Sequence, residues 1–226
     1  DADRDGISGR AARTADGRLG RFGRKGEAPT ISDFIDTALR FELGLTTPNH
    51  PQEETLNGRP IPTGADPMPD PDLDARGVRL LSEYVRLLAP AARAITDPAA
   101  RDSVARGEDL FASIGCAPSH VPLLRTGRSE VPALARAAVR LYSDLLLHDL
   151  GPALGDVCGT DAGPSEYRTA ALWGLRYREA LLHDGRARSV SEAVALHGGE
   201  AGAARDAFVR LSAEQRTLLL RFLGSL

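Results

Sequence analysis

Residues 116–120 (CAPSH) have the types and spacing of a site at which a cofactor is attached covalently. In the motif C-x-x-C-H, two thiols add to the vinyl groups of a haem, and the histidine becomes an axial ligand of its iron. Cys116 and His120 are in register with that motif, but Ser119 stands in the place of the second thiol. The motif alone is also compatible with a helix end followed by a turn that holds a buried cysteine and a surface histidine.

An iron bound by His120 needs a second axial ligand, for which the chain offers Met68 and four further histidines. Met68 is the only methionine and lies in a run of prolines, where we do not expect a packed ligand. His197 is better placed, because it falls seven residues after Val190 on the apolar face of a predicted helix. An unpaired imidazole is costly there, although a core histidine that bonds to the backbone would fit the same position.

Two similar phrases, LLHD at residues 146–149 and LLHDGR at residues 181–186, each place a histidine before an aspartate. Such pairs bind divalent metals in HD-type phosphohydrolases, so a metal-dependent hydrolase that uses them is one alternative function. In the other interpretation each aspartate caps a turn and each histidine bonds to the backbone.

The chain begins with three alternating aspartates, Asp1, Asp3 and Asp5, followed by Gly6. Alternating carboxylates and a glycine turn are typical of a calcium loop, but Ala12 occupies the twelfth position, where a bidentate acid is expected. The sequence therefore predicts at most a partial calcium site, and a solvated acidic turn is the alternative. Because the chain does not begin with Met, we expect it to be trimmed or processed.

Helical patterns surround these candidate residues. Ser32 is a candidate N-cap, and capping boxes begin at Ser189 and Ser212. Glycines end the first and fourth patterns at Gly44 and Gly198. We expect helices over residues 32–44, 76–89, about 103–114, 190–197 and from 212 toward the end. Seven prolines make regular structure unlikely in residues 48–71, so the predicted fold is mainly α with long irregular connections.

The apolar stripes of the first two predicted helices predict which face of each helix is buried. In the first helix the stripe is Phe34, Ile35, Ala38, Leu39 and Leu43. In the second helix it is Val78, Leu81, Val85 and Leu88.

Composition excludes several classes of protein. A chain of 226 residues with a net charge of −3 carries no general footprint for nucleic acid or an anionic membrane. No apolar run approaches the length of a membrane-spanning helix. Two cysteines are too few for a disulfide scaffold or a four-thiolate zinc site. Cys158 is either buried and free or bonded to Cys116.

In their order along the chain, several phrases resemble the bacterial di-haem cytochrome c peroxidase superfamily, specifically its di-haem thiol-oxidoreductase-like branch. The most specific phrases are GEDLFASIGCAPSH, YSDLLLHDLGPALGD, SEYRTAALWGLR and LLHDGRARSVSEAVALHGGEA. Together with DADRDGISGR, GRLGRFGRKG, LRFELGLTT, LLRTG and LLLRFLGSL, they cover the whole chain except the proline run.

The resemblance implies two domains and a set of site residues. Residues 1–102 would be the loop-rich remainder of a first, peroxidase-like domain, with the proline-rich excursion 48–71. Residues 103–226 would form a cytochrome c-like domain. Cys116 would attach the haem, His120 would be the proximal ligand, and the distal ligand, fourteen residues after the histidine of H-D-G, would be His197. The haem surroundings would include His148, Asp149, Arg168, Trp173, His183 and Arg186.

Three departures from the family pattern qualify this expectation. Ser119 removes one thioether, so the cofactor would be haem c held by a single thioether, a non-covalent haem of the b kind, or lost. The C-x-x-C-H motif of the first haem domain is not in this sequence, and Arg24 stands where the family commonly has a tryptophan. The departures fit either a shortened chain or a degenerate member.

The predicted function is a haem-binding electron-transfer module with a redox partner protein or a small-molecule electron donor. Two histidine ligands close the iron to other ligands and lack the methionine that raises its potential. Attachment of haem c implies export to the periplasm or the cell exterior, and a second haem in the full-length protein would imply peroxidase-like activity. A haem-free relative that serves as a structural or partner-binding domain is the alternative.

Overall fold

The computed structural model describes residues 6–55, 59, 61–95 and 99–226. In that part of the chain the α-helices are α1 Ile31–Leu43, α2 Ala75–Arg86, α3 Ala100–Ser113, α4 Val190–Leu196, α5 Gly202–Val209 and α6 Ala213–Leu223. The strands are β1 Leu124–Arg125, β2 Ala138–Val139, β3 Leu147–Asp149 and β4 Glu166–Arg168. The strands form two antiparallel pairs, β1 with β2 and β3 with β4. The protein is therefore mainly α, as predicted.

The first helix begins directly after Thr30, two residues before the predicted cap. The hydroxyl of Thr30 accepts a hydrogen bond from the amide of Asp33, so Thr30 is the N-cap and the prediction of Ser32 is wrong. Gly44 ends the helix in the left-handed conformation (φ 66°), as its type predicts. The described residues of the proline-rich run 48–71 contain neither helix nor strand, also as predicted.

The predicted apolar stripes of α1 and α2 are only partly correct. The two helices pack on each other through Ile35, Leu39 and Val78. Phe34 and Leu43 are exposed, and so are other members of the predicted stripes. In the second predicted helix these are Leu81, Val85 and Leu88, the last of which lies beyond the end of α2 at Arg86. Two helices that meet along one narrow seam leave their remaining apolar residues uncovered, which a periodic sequence pattern cannot reveal.

The main core lies where α3 crosses α6. Gly107 of α3 permits this close approach, because a Cβ atom there would lie 2.2 Å from the carbonyl oxygen of Leu218 and 2.7 Å from the Cβ of Phe222. Phe111 packs beside them, with its ring centroid 5.3 Å from that of Phe222. The buried core residues are Val104, Phe111, Tyr142, Phe208, Leu219, Phe222, Leu223 and Leu226. This core supports the turn that follows α3.

Caps place the last helices as the sequence predicts. At α6 the hydroxyl of Ser212 and the side chain of Gln215 form both hydrogen bonds of the capping box. At α4 the hydroxyl of Ser189 accepts from the amide of Glu192, but the Glu192 carboxylate accepts from Arg188 instead of the cap residue. The cap is confirmed, and the reciprocal half of the predicted box is wrong.

The segment before α1 lies along β3. Arg10 and Leu147 exchange two backbone hydrogen bonds of 2.8 and 3.0 Å. Ala12, Leu147 and Ala162 form a small buried cluster beneath them. Among the described residues, no helix has both the length and the apolar character that crossing a bilayer requires.

Candidate functional site

The CAPSH turn begins directly after α3. Gly115 (φ 88°) reverses the chain, and the amide of Cys116 then donates to the carbonyl of Phe111. The amide of His120 donates to the carbonyl of Cys116 at 2.9 Å, which closes the turn. Burial raises the pKa of the Cys116 thiol to about 11, so this sulfur stays protonated at neutral pH. Both cysteines are free, so of the two predicted states of Cys158 the bond to Cys116 is wrong; the other, a free thiol, is confirmed except that Cys158 is exposed and not buried.

The imidazole of His120 is fixed by one backbone carbonyl. Its Nδ1 lies 2.9 Å from the carbonyl oxygen of Tyr142. Because a carbonyl can only accept, Nδ1 carries the proton and Nε2 keeps its lone pair. Tyr142 is fully buried in the left-handed conformation (φ 53°), and its hydroxyl donates to Glu108 at 2.7 Å. Within the described part of the chain, Nε2 of His120 has no hydrogen-bond partner.

His197 is held in the same way. It caps the C-terminus of α4, and its Nδ1 lies 2.6 Å from the carbonyl oxygen of Ala193. Arg205 donates to the backbone carbonyl of His197 at 3.2 Å. Nε2 of His197 is likewise without a partner in the residues that the structure describes. Both histidines therefore present the same nitrogen with its lone pair free, which is the tautomer that binds a metal.

Burial sets the protonation state of both histidines. Burial lowers the pKa of His120 to about 4, the hydrogen bond to Tyr142 opposes that shift, and the charge of His197 adds to it. Burial also lowers the pKa of His197. Both rings are consequently neutral at neutral pH, as metal ligation requires.

Apolar side chains that are only partly buried pack against the main core, and two residues of the CAPSH turn are among them. The ring of Phe111 lies 6.1 Å from that of His120. The partly buried residues that pack against the main core include Ile114, Cys116, Ala117, Leu172, Leu175, Val190, Val194 and Leu211. Two free imidazole nitrogens, one thiol and an uncovered apolar surface fit an iron macrocycle, which needs axial ligands at its centre and apolar contacts at its faces.

His148 and Asp149 do not form a metal-binding pair. Both ring nitrogens of His148 lie on carboxylates, Nε2 at 2.8 Å from Asp144 and Nδ1 at 2.7 Å from Glu200. Asp149 caps a turn by accepting from the amide of Gly151 at 2.7 Å. The ligand interpretation of this pair is wrong because no nitrogen is left free, whereas the turn-capping interpretation of its aspartate is confirmed.

In the second histidine–aspartate pair, His183 and Asp184 also contact different residues. The ring of His183 stacks on Tyr167 with centroids 4.6 Å apart, and Lys25 lies over the ring of that tyrosine, 4.0 Å from its centroid. Asp184 pairs with Arg186 instead of its neighbouring histidine. In the described ranges, the group of three ligand atoms close enough for one metal comes from the proline-rich run, Glu53, Asp70 and Asp72, without a histidine. The hydrolase alternative therefore loses its donor set.

Two of the remaining residues named from the sequence are in contact, since the amide of Arg168 donates to the carbonyl of Arg24 at 2.8 Å. Arg168 donates to the carbonyl of Gly23 at 2.9 Å, and burial lowers its pKa. Trp173 is 37% exposed and Met68 is 64% exposed, so neither is a buried contact. Arg186 is exposed, and Arg24 donates to the carbonyl of His183. Asp1, Asp3 and Asp5, the predicted calcium ligands, lie outside the described residues.

Sequence reasoning missed the residues that orient the histidines. Tyr142, Glu108 and Glu200 make contacts across 22 to 52 residues of chain, whereas Asp144 reaches His148 across four. A local pattern carries no signal for such contacts. The only hint is the position of Asp144 four residues before His148.

The fold and the site together define a class of protein. Its members are mainly α and hold two neutral, partly buried imidazoles and a nearby thiol. A family described as "Di-haem oxidoreductase, putative peroxidase" matches residues 1–226. The chain belongs to this di-haem oxidoreductase family, which confirms the resemblance and supports a haem-related, oxidoreductase-like role.

One solved structure is similar in part. It is Kuenenia stuttgartiensis hydrazine synthase pressurised with 20 bar xenon, at 17% sequence identity and a TM-score of 0.48. The similarity covers 70% of this chain and 57% of the other, so the chain spans little more than half the length of that protein. None of the curated proteins matches the chain.

Proposed function

We propose that this chain is a haem-binding electron-transfer module with His120 and His197 as the axial ligands. The observation that carries the proposal is the matched state of the two rings. Each Nδ1 donates to a backbone carbonyl, and each Nε2 has no partner among the described residues. Membership of a di-haem family supplies the cofactor class.

Cys116 is the proposed covalent anchor. Its S–H would add across one vinyl double bond, so that sulfur joins one carbon and hydrogen the other, with no oxidant consumed. Ser119 offers no second thiol, and the haem would therefore carry a single thioether or be held without one. The high pKa of the buried thiol indicates that attachment needs assistance from a maturation system.

The bound haem would supply a reversible one-electron change at its iron, and the protein would supply orientation and exclusion of water. The carbonyls of Tyr142 and Ala193 fix the tautomer and the ring plane of the two histidines. The half-buried apolar residues would cover the macrocycle and hold water away from it. Two imidazole ligands leave no open position, which suits electron transfer better than peroxide binding.

The wider setting belongs to the same proposal. Residues 103–226 would be the haem-bearing domain, and residues 1–102 the remainder of a peroxidase-like first domain. The electron would come from a redox partner protein or a small-molecule donor. The resemblance favours export to the periplasm or the cell exterior, and peroxidase-like activity would require a second haem elsewhere in the full-length protein.

Ser119 favours one competing candidate, a haem-free relative kept as a structural or partner-binding domain. Expression with a cytochrome c maturation system, followed by an absorption spectrum, separates the two candidates. We expect a low-spin Soret band for the natural sequence and a high-spin spectrum for His197→Ala, because one axial position opens. His50→Ala, at a histidine that pairs with Asp36 away from this turn, is the matched control and should stay low-spin. A protein without a Soret band would support the haem-free candidate.

A further inference from the structure

His148 is the most constrained histidine outside the proposed ligand pair. It is 5% exposed, and both of its ring nitrogens face carboxylates, which accept hydrogen bonds but cannot donate them when ionised. Only the doubly protonated ring can satisfy both contacts. The geometry thus requires an imidazolium placed between Asp144 and Glu200.

One carboxylate, Glu200, belongs to the segment that carries His197, and the other, Asp144, is hydrogen-bonded to the turn that carries His120. The amide of Asp144 donates to the carbonyl of Ser119 at 2.9 Å, so this residue is tied to the turn of His120. Glu200 follows His197 by three residues, in the 3-10 turn Gly199–Ala201. His148 therefore lies at the junction of both segments.

Backbone contacts show how tightly this junction is packed. A Cβ atom on Gly199 would lie 2.2 Å from the carbonyl oxygen of Asp149 and 2.8 Å from the amide nitrogen of Gly151. The end of β3 and the segment after His197 thus touch through main-chain atoms. No side chain other than hydrogen could stand at position 199 without separating them.

The N-terminal segment closes the other side. The amide and hydroxyl of Ser8 both donate to Glu200, at 3.0 and 3.2 Å. Gly9 lies over the imidazole, because a Cβ there would be 2.5 Å from Cε1 of His148. Three separate parts of the chain consequently meet at one charged ring.

We propose that His148 is a positioning residue whose imidazolium ties the His120 turn to the segment after His197 and so fixes how the two ligands face each other. This inference rests on the proposed function for its consequence at the haem, but the tie itself is a property of the protein chain. Removing the ring should loosen both segments together, whereas removing one carboxylate should loosen one of them.

The test is amide hydrogen exchange of the full chain as purified, for the natural sequence and for His148→Gln. We expect the amides of Asp144 and Ala201 to exchange at least about ten-fold faster in the variant, because each lies in a segment that the ring holds. His183→Gln replaces the other buried histidine that follows Leu-Leu and should leave both amides unchanged. Asp144→Asn should accelerate exchange mainly around residues 116–120, and Glu200→Gln mainly around residues 197–201.

Unchanged exchange in either segment of His148→Gln would overturn the proposal. If that variant fails to fold, the ¹⁵N shifts of the natural protein decide instead: both ring nitrogens of His148 should carry protons at pH 7, and a neutral ring would overturn the tie. In protein that contains haem, His148→Gln should also raise the high-spin fraction. A natural protein that takes up no haem would contradict the proposed function while leaving the exchange result to judge the tie.

Discussion

The chemistry of the site depends on which nitrogen of each histidine is free. At both His120 and His197, a backbone carbonyl accepts the hydrogen bond from Nδ1–H and leaves Nε2 as the available ligand. The two carbonyls come from different contexts, a buried residue with positive φ and the last turn of a helix. Two different structural contexts therefore give the two histidines the same tautomer.

The two cysteines should differ sharply in reactivity. Cys116 is partly buried with a pKa of about 11, whereas Cys158 is exposed. We expect iodoacetamide at pH 8 to modify Cys158 at least about ten-fold faster, because the thiolate is the nucleophile and must be accessible. Peptide mass spectrometry over a time course measures both rates in one sample. Equal rates in the folded protein would show that the thiol of residue 116 is not shielded.

Restoring the missing thiol should change the mode of attachment. With a cytochrome c maturation system, Ser119→Cys should give a haem with two thioethers, and the natural sequence at most one. The pyridine haemochrome spectrum of denatured protein distinguishes these states. Cys116→Ala serves as the comparison and should release all haem on denaturation. A one-thioether spectrum from Ser119→Cys would contradict the prediction.

At the residue scale, the sequence singled out the candidate ligands but not the residues that orient them. Cys116 and His120 stand in a recognisable motif, and periodicity placed His197 on an apolar face before any family comparison. Tyr142 was unpredictable because its role depends on a backbone carbonyl in the left-handed conformation, which no side-chain pattern specifies. The roles of the ligands themselves stay predictions until haem is shown to bind.

Among the elements, the crossing of α3 and α6 is the most demanding contact. We expect Gly107→Ala to lower the free energy of unfolding by about 2 kcal/mol or more, because overpacking at a backbone contact outweighs the roughly 1 kcal/mol gain in helix propensity. Gly202→Ala is the matched control, since its added Cβ would meet only the far end of Arg205 at 3.9 Å. Urea unfolding of both variants measures the difference. A Gly107→Ala protein as stable as the control would show that the helices can separate without cost.

The final helix should depend on its cap. Ser212→Ala removes the hydroxyl that accepts from the amide of Gln215, and we expect a loss of about 1 kcal/mol. Ser212→Asn keeps an acceptor and should recover most of it. If the asparagine variant is as unstable as the alanine variant, the loss arises from something other than the cap.

Element boundaries followed from the sequence where a single residue type decides them. Gly44 and Ser212 work through local stereochemistry and one hydrogen bond, so their positions are readable. The exposure of Phe34 and Leu43 was not readable, because it depends on which other helix arrives and along which line it packs. The division into domains at residue 103 stays a prediction.

For the whole molecule, the charged junction at His148 should impose a pH window on stability. Burial lowers the pKa of the His148 ring. The hydrogen bonds to Asp144 and Glu200 together raise it by more than burial lowers it, so the pKa lies above the ordinary value of a histidine. Burial raises the pKa of each carboxyl, but the hydrogen bonds from His148 and from nearby backbone amides together outweigh it and lower both pKa values. The ring's contribution is therefore lost as pH rises through its folded pKa. The carboxylates' contribution is lost as pH falls through theirs.

The difference in melting temperature between the natural protein and His148→Gln should be largest between about pH 4.5 and 6.5, from the ordinary pKa values of these groups. It should shrink in more acidic and more alkaline solution. Burial lowers the pKa of His120 to about 4 and the charge of His148 adds to that shift, so any change in the titration of His120 falls at the acid edge of this range. A difference that is constant from pH 4 to 9 would show that the ring is not charged in the fold.

The exposed thiol of Cys158 has a practical consequence for anyone who handles the protein. Stored in air, two copies will join through this sulfur, because it is accessible and the other thiol is shielded. Such covalent dimers would mimic a native assembly in size-exclusion chromatography. Cys158→Ser, or a fresh reducing agent, gives a sample whose measured mass reports the true subunit number.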